Sequence, residues 1–456
     1  MLTYELKKSP GVPLYEALYR CIRADILSGR LKPGQKLPSK RTLAQNLEIS
    51  KITVEGAYSQ LLSEGYIRAQ EKVGYFVEDI PTFHAPATEN PAAENAEFIP
   101  PRLDLTGSGT EKFPFSVWSR LQREVMLDYG EQLLLPLPHQ GVAALRQAIA
   151  DHLHAFRAMR VDPANIIIGA GTDFLYNLLI QLLGREKTYA VEDPGYSKIH
   201  KIYAAGGVTC ISVPMDAEGV LPHALGNAQV LHLSPSHHFP TGRVTSVARR
   251  QELLRWAQRC GGYIIEDDYD SEFRFDAHPK PTMQSLDRNG QVIYMNTFSK
   301  SLAPSIRISY MVLPAELMAQ FRKNLGFYSC TVSSFEQYTL ARFISRGYFE
   351  KHINRMRKYY KNRRNQVVSA LGNSSFAEKL TIREEDAGLH FLLKVDTAMT
   401  DGELVRFCES KGVRLRTLSS YYHLPIPEED QHCLVINYAG LNLEELEQIL
   451  AAWQDT

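Results

Sequence analysis

The sequence predicts an α/β fold: a large body with a mostly parallel sheet, preceded by a small helical head with a two-stranded wing. Three observations carry this. Beyond residue 141, short apolar runs alternate with amphipathic helical stretches. Residues 14–63 hold three helical stretches in succession. Between head and body lies the connector DIPTFHAPATENPAAENAEFIPP, in which ten of 23 residues are Pro or Ala. That composition suits an extended, semi-stiff linker. The expected division is a head at 1–78, a linker at 79–101 and a body at 102–456.

A chain of 456 residues suggests two to four domains. With 44% hydrophobic and 22% charged residues, global disorder is excluded and a core is affordable. No run of eighteen apolar residues occurs, so no membrane span is expected. The stretch from Met1 to Pro10 lacks the apolar core of a signal peptide. Six cysteines are scattered without a Cys-x-x-Cys pair, which points to reduced thiols in a cytoplasmic protein and to no metal site. The 51 basic and 51 acidic residues cancel, and taken whole this argues against a nucleic-acid partner. By segment the picture changes. Residues 1–78 carry twelve Lys+Arg against eight Asp+Glu, residues 79–101 carry four acids and no base, and the body carries 39 of each. DNA affinity follows the local field of the reading surface, so a basic head is compatible with it.

In the head, Leu14, Leu18, Ile22 and Ile26 recur every four residues as one helix face, which stops near Ser28-Gly29. Ser39 is placed to cap a short second helix bearing Leu43, Ala44 and Leu47. Ser50 is placed to cap a third, with Val54, Ala57, Tyr58, Leu61 and Leu62 as its apolar stripe. YIRAQ and GYFVE then read as two strands around a turn at Glu71 to Gly74. Helix, helix–turn–helix and wing is an order that reads DNA by laying the last helix in the major groove. Lys51 can bind phosphate or guanine, and Thr53 a phosphate oxygen or a thymine methyl. The segment from Pro13 to Asp79 resembles the winged helix–turn–helix of the GntR regulators, through LKPGQKLPSKRTLA, SKITVEGAYSQLLSEGYI and GYFV. The resemblance implies Arg41, Lys51 and Thr53 as DNA contacts, with Lys72 and Gly74 on the wing. Lys40 and Lys51 stand where the motif usually holds Glu and Arg, which keeps or adds positive charge.

In the body, NIIIGA (165–170), TYAVED (188–193), QVLHLSP (229–235), YIIEDDY (263–269), VIYMNTF (292–298) and ISYMVLP (308–314) read as strands, mostly buried on both faces. Helices are expected at 142–156, 173–184, 247–260 and 334–360. Ligand sites in such folds lie at the carboxyl ends of strands. Asp267 follows one strand, Lys300 another, and Arg307 lies seven residues on. The turn GAGTDF opens a helix whose N–H groups can hold an anion. These are the parts pyridoxal phosphate needs: an amine, a carboxylate for the ring nitrogen and an anion site.

EDDYDSEFR and NTFSKSLAPSIRISYMVLP, with 33 residues from Asp267 to Lys300, resemble the fold-type-I aminotransferases across most of 102–456. The resemblance implies that Lys300 forms the Schiff base with the cofactor and that Asp267, rather than Asp268, pairs with the ring nitrogen. It implies Tyr269 at the ring hydroxyl, Gly171, Thr172, Thr297 and Arg307 at the phosphate, and Tyr196 stacked on the ring. Two positions depart from that pattern. In SPSHHFPTG, Phe239 stands where an Asn near the ring hydroxyl is usual. There His237 or His238 supplies a polar atom, or both are ordinary loop histidines. In CLVINYAGL, Val435 stands where the family has the Arg that forks onto a substrate carboxylate. Arg414, Arg416 and Lys198 are alternative cations. An apolar residue does not replace a bidentate clamp, which argues against efficient transamination.

Head, linker and body together resemble the MocR subfamily of GntR-type bacterial regulators. That implies a DNA-binding regulator with pyridoxal phosphate as cofactor, and either the cofactor itself or an amino compound reacting with it as signal. It also implies a homodimer, head of one chain to body of the other, on an operator with repeated half-sites. The contrasting expectations are an aminotransferase with a tethered DNA-binding domain, and a DNA-binding protein whose body merely dimerises.

Overall fold

A computed structural model describes residue 4 and residues 13–79, 103–106, 112–274, 280–383 and 388–452. The chain divides into two units, Met1–Phe98 and Ile99–Thr456. Apart from Asp79, the connector expected at 79–101 lies outside the described residues.

The head holds helices α1 (Leu14–Leu27), α2 (Lys40–Asn46) and α3 (Lys51–Ser63), then strands β1 (Ile67–Gln70) and β2 (Gly74–Val77). The strands pair antiparallel from Ile67 with Val77 to Gln70 with Gly74. Ser39 accepts the Thr42 N–H and Ser50 the Thr53 N–H, each at 3.1 Å. Both helices thus start where a capping hydroxyl satisfies an orphan donor. Leu18, Ile22, Ile26, Leu43, Val54, Tyr58, Leu61, Ile67 and Val77 form the core of this unit.

The body begins with β3 (Leu103–Asp104), α4 (Phe115–Tyr129) and α5 (Ala143–Arg157). It continues with β4 (Ile166–Gly169), α6 (Thr172–Leu183), β5 (Thr188–Asp193), α7 (Ser197–Ala205), β6 (Thr209–Asp216), β7 (Gly219–Val220) and β8 (Val230–Leu233). Then come α8 (Val247–Cys260), β9 (Tyr263–Asp267), α9 (Met283–Leu286), β10 (Val292–Thr297), α10 (Phe298–Ser301), β11 (Ser309–Val312), α11 (Ala315–Asn324), α12 (Ser334–Ser345) and α13 (Tyr348–Gly372). The chain ends in β12 (Leu380–Arg383), β13 (His390–Val395), α14 (Asp401–Ser410), β14 (Val413–Arg414), β15 (Cys433–Asn437) and α15 (Leu443–Ala452).

Eight strands form the main sheet in the order β4-β11-β10-β9-β8-β5-β6-β7. β10, β9, β8, β5 and β6 run parallel. β11 runs antiparallel to both its neighbours. Its link to β10 is too short for a helical crossover, so the chain turns straight back. That return segment carries Lys300 and Arg307. Alternate residues face opposite layers: Ile167, Ile265, Ile293 and Met295 pack with α6 and α11, whereas Ile166, Ile168 and Tyr294 pack with α5, α12 and α13.

Two sequence expectations need correction. The helix expected at 334–360 is two helices, α12 and α13, broken at Gly347 with φ 74°, and the second runs on to Gly372. A left-handed glycine ends a helix despite unbroken apolar spacing. The expected strands also omitted β6 and a second sheet of β12, β13 and β15. In β6 only Val213 is fully buried, so the strand lacks the continuous apolar run that marks its neighbours.

Among the described residues, no helix is long and apolar enough to cross a membrane, and no cluster of His, Cys, Asp or Glu is arranged to hold a metal.

Candidate functional site

A cavity of about 320 Å³ opens at the carboxyl ends of β9 and β10. Seven of the eight residues expected to hold the cofactor line it: Thr172, Tyr196, Asp267, Tyr269, Thr297, Lys300 and Arg307. They converge because of strand parity. Asp267 shares a face with Ile265, and Thr297 with Ile293 and Met295, so both face the α6 side. Asp268 faces the other way. It pairs with Arg157 at 2.9 Å, accepts from Tyr294 at 2.7 Å and is sealed in the body core. Burial would raise its carboxyl, but the Arg157 charge, with Tyr294, holds it below the usual range.

Asp267 is buried, and Tyr176 on α6 donates its hydroxyl to Oδ2. His232 Nε2 lies 3.6 Å from the same oxygen, and its Nδ1 lies 2.7 Å from the Tyr203 hydroxyl. Oδ1 of Asp267 is buried with no hydrogen-bond partner among the described residues. Such an oxygen is costly unless something donates to it.

Lys300 sits on α10. Burial pushes its ammonium below the usual lysine range, with the Asp270 charge opposing, which favours a neutral, nucleophilic amine. Thr297 donates to Ser299 Oγ at 3.0 Å and accepts from Ser309 at 2.8 Å. Arg307 is itself left-handed, with φ 49°. Its Nη2 reaches Ala170 O at 3.4 Å and Asp173 Oδ2 at 3.2 Å. Gly171 precedes α6 at φ 88°, and a Cβ there would strike the Arg307 guanidinium. Gly171 does not line the cavity; it makes room for the cation that does.

Tyr196 stands at the cavity wall, 46% exposed, with its ring edge-on to Phe239 at 5.9 Å. Phe239 lines the cavity where a polar residue is usual. His237 and His238 stand behind the wall. His237 Nδ1 lies 2.8 Å from Asp270 and 3.3 Å from the Tyr269 hydroxyl. His238 Nδ1 lies 2.7 Å from Thr241, and burial pushes its imidazole down to about 3. Val435 is buried on β15 with Leu392, Leu418 and Tyr421. Arg414 pairs with Asp104 at 3.6 Å. Of the three substitute cations, Lys198 alone lines the cavity, and it binds Asp173 at 2.6 Å.

Among the cavity residues that escaped the sequence reading are Tyr176, Glu192 and His232. Tyr176 lies four residues after Thr172, one helical turn on, and that spacing is the signal that marks it. Glu192 accepts the Ser234 N–H at 2.8 Å, and burial pushes its carboxyl up to about 8.

On the head, Arg41, Lys51 and Lys72 are exposed. Lys72 is left-handed at the wing tip, φ 60°. Gly74, at φ 136°, is half-buried, and a Cβ there would meet Lys36 Cε at 3.2 Å. Thr53 is half-buried, and its hydroxyl lies 2.8 Å from that of Ser50. Lys40 is tied to Glu55 at 2.7 Å, joining α2 to α3.

Residues 106–452 match the family described as aminotransferase class I and II, and residues 14–77 the bacterial regulatory proteins of the gntR family. The probable rhizopine catabolism regulatory protein MocR of Rhizobium meliloti is 33% identical, over 96% of this chain and 92% of its own. The chain belongs to the MocR subfamily of GntR-type regulators. The HTH-type pyridoxine biosynthesis transcriptional regulator PdxR of Corynebacterium glutamicum is 31% identical, over 88% of this MocR-type chain and 87% of its own. A kynurenine aminotransferase of Pyrococcus horikoshii superposes with a TM-score of 0.67 at 24% identity, covering 77% of this chain and 89% of that one. This likeness shows the fold of the body.

That fold implies pyridoxal phosphate, and the residues of the MocR-type cavity fit it. The unpartnered Asp267 Oδ1 is an acceptor awaiting a donor such as a protonated ring nitrogen. Arg307 and the start of α6 form a cationic cradle that a side chain at position 171 would fill.

Proposed function

We propose that this MocR-type chain is a DNA-binding transcription regulator whose body holds pyridoxal phosphate as a sensory ligand. The observation that carries the reading is the convergence of Lys300, Asp267 and Arg307 on one cavity, in a chain that begins with a winged helix–turn–helix. Bound there, the cofactor supplies an aldehyde electrophile for amines. Lys300 would hold it covalently through its amine. Asp267 would accept at the ring nitrogen and keep it protonated. Tyr269 would bond the ring hydroxyl, and Tyr196 would cover one ring face. Thr172, Thr297 and Arg307 would hold the phosphate, with Gly171 leaving space for the guanidinium. On the head, Arg41, Lys51 and Lys72 would contact DNA, with Gly74 shaping the wing.

The dimer is part of the reading. Phe115, Leu127, Leu134 and Leu135 are each more than 60% exposed on or just after α4, apolar side chains that a second copy would cover. A head-to-body homodimer would offer two recognition helices to repeated half-sites. Ligand binding alters DNA affinity only by favouring one conformation of that assembly over another.

The signal proposed is pyridoxal phosphate itself, with vitamin B6 supply as the output. Support comes from buried, apolar Val435 in place of a carboxylate clamp, and from Lys198 being paired with Asp173. The test measures binding of the full chain to its own promoter, with and without pyridoxal phosphate, then with added amino acids and amines. The cofactor alone should change DNA affinity. A response only to an amine in the loaded protein would make the amine the signal. Rapid conversion of amino donors to keto acids would instead make the chain an aminotransferase. Lys300→Ala should abolish covalent attachment: borohydride treatment would then leave the mass of the chain unchanged.

A further inference from the structure

The recognition helix exposes an aliphatic side chain that the head does not use. Val54, Ala57, Tyr58 and Leu61 are buried and hold α3 to the head. Ile52 lies off that stripe and is 81% exposed, more than any other large apolar side chain among the described residues. A single exposed aliphatic residue is ordinary, so exposure alone decides nothing. Its position decides more. It stands in the first turn of the helix that a helix–turn–helix lays in the major groove, between exposed Lys51 and half-buried Thr53.

The polar neighbours have other work. Ser50 Oγ takes the Thr53 N–H at 3.1 Å, and the Ser50 and Thr53 hydroxyls lie 2.8 Å apart. Both residues are engaged in starting the helix. Glu55, one turn on, is held by Lys40 at 2.7 Å. Lys51 and Ile52 are the first-turn side chains for which the head shows no such role. Lysine matches phosphate or guanine. An aliphatic group matches the one apolar mark on the major-groove floor, the C5-methyl of thymine.

We infer that Ile52 reads a thymine in each half-site by packing on its methyl group, and that Thr53 is a partner of the Ser50 cap rather than a base reader. The inference rests on the DNA-binding reading of the head. It adds a specificity determinant that no charge or hydrogen-bond pattern in the sequence marks.

The test uses the full chain with pyridoxal phosphate and a randomised duplex library. The native protein should enrich thymine at one position per half-site. Ile52→Ala should lose preference at that position and keep the others. Replacing that thymine by uracil removes only the methyl group. It should weaken the native protein about fourfold per half-site, the ~0.8 kcal/mol of one buried methyl-sized group, and leave Ile52→Ala unaffected. Lys51→Ala should weaken all duplexes and keep the thymine preference. Because Ile52 is exposed, its alanine variant should melt with the native protein. Equal binding of uracil and thymine duplexes by the native protein, or thymine discrimination surviving in Ile52→Ala, overturns the inference and leaves DNA binding intact. Enrichment of no duplex by the native protein overturns both.

Discussion

The guanidinium of Arg307 fills the space that a Cβ on Gly171 would need. Gly171 also has φ 88°, which side-chain-bearing residues rarely adopt. Gly171→Ala therefore meets two penalties, backbone strain of ~1–3 kcal/mol and displacement of the cation. Affinity for pyridoxal phosphate should fall at least about tenfold, a loss of 1.4 kcal/mol or more, while affinity for pyridoxal, which lacks the phosphate, should change much less. Equilibrium titration with both ligands checks this. Equal loss of both would show that the damage is general rather than at the anion cradle.

Asp267 and Asp268 are neighbours with opposite surroundings, and their variants should separate. Asp268 is paired with Arg157 at 2.9 Å in the core, and both are buried. Asp268→Ala strands a buried guanidinium and should cost ~3–5 kcal/mol of stability. Asp267→Asn keeps the shape of the side chain and removes the charge that the cavity presents to a ring nitrogen. It should lower cofactor affinity with a smaller loss of stability. Denaturant unfolding of the cofactor-free chain, beside cofactor titration, tests the pair. The same loss of stability in both variants would refute the division of roles.

Glu192 gives a pH prediction. Burial raises its carboxyl to about 8 from an ordinary 4.5. Between those values the folded chain holds a proton that the unfolded chain has released, so stability falls as pH rises through the window. The contribution is complete below the unfolded value and lost above the folded one. Glu266, raised to about 7, and Glu272, raised to about 8, act in the same direction. Glu192→Gln cannot ionise, yet its amide oxygen can still accept the Ser234 N–H. The variant should therefore lose less stability than the native chain from pH 5 to pH 8, by an amount on the order of a few kcal/mol. Parallel slopes in melting experiments across that range would remove Glu192 as a contributor.

The head and the sheet were legible in the sequence because their signals are local. Ser39 and Ser50 cap the helices they were expected to cap, and all six main-sheet runs are strands within one or two residues of each end. The last of them, Ser309–Val312, turns back antiparallel. Direction is set by connection length, not by apolar content. The 33-residue interval to Lys300 favours Asp267 over Asp268, and strand parity is the physical reason that Asp267 reaches the cavity. What stayed hidden depends on distant segments meeting. Tyr176 finds Asp267 across 91 residues and Arg157 finds Asp268 across 111, and no periodicity records either contact. The helix break at Gly347 was concealed because the apolar spacing carries straight through it.

Lys51 supplies the last prediction. It is exposed at the start of α3, where a long cation reaches phosphate or guanine. A phosphate contact contributes through counterion release, so its loss acts on all sequences alike. Lys51→Ala should weaken DNA binding and reduce the slope of log affinity against log salt by about one. A guanine contact behaves differently: its loss relaxes preference at one position of the site, at a cost of ~1–3 kcal/mol on the native sequence. Salt titrations on the native site and on a guanine-substituted site therefore distinguish the two. Unchanged affinity on both would remove Lys51 from the reading surface, and with it the charge argument that singled out the head.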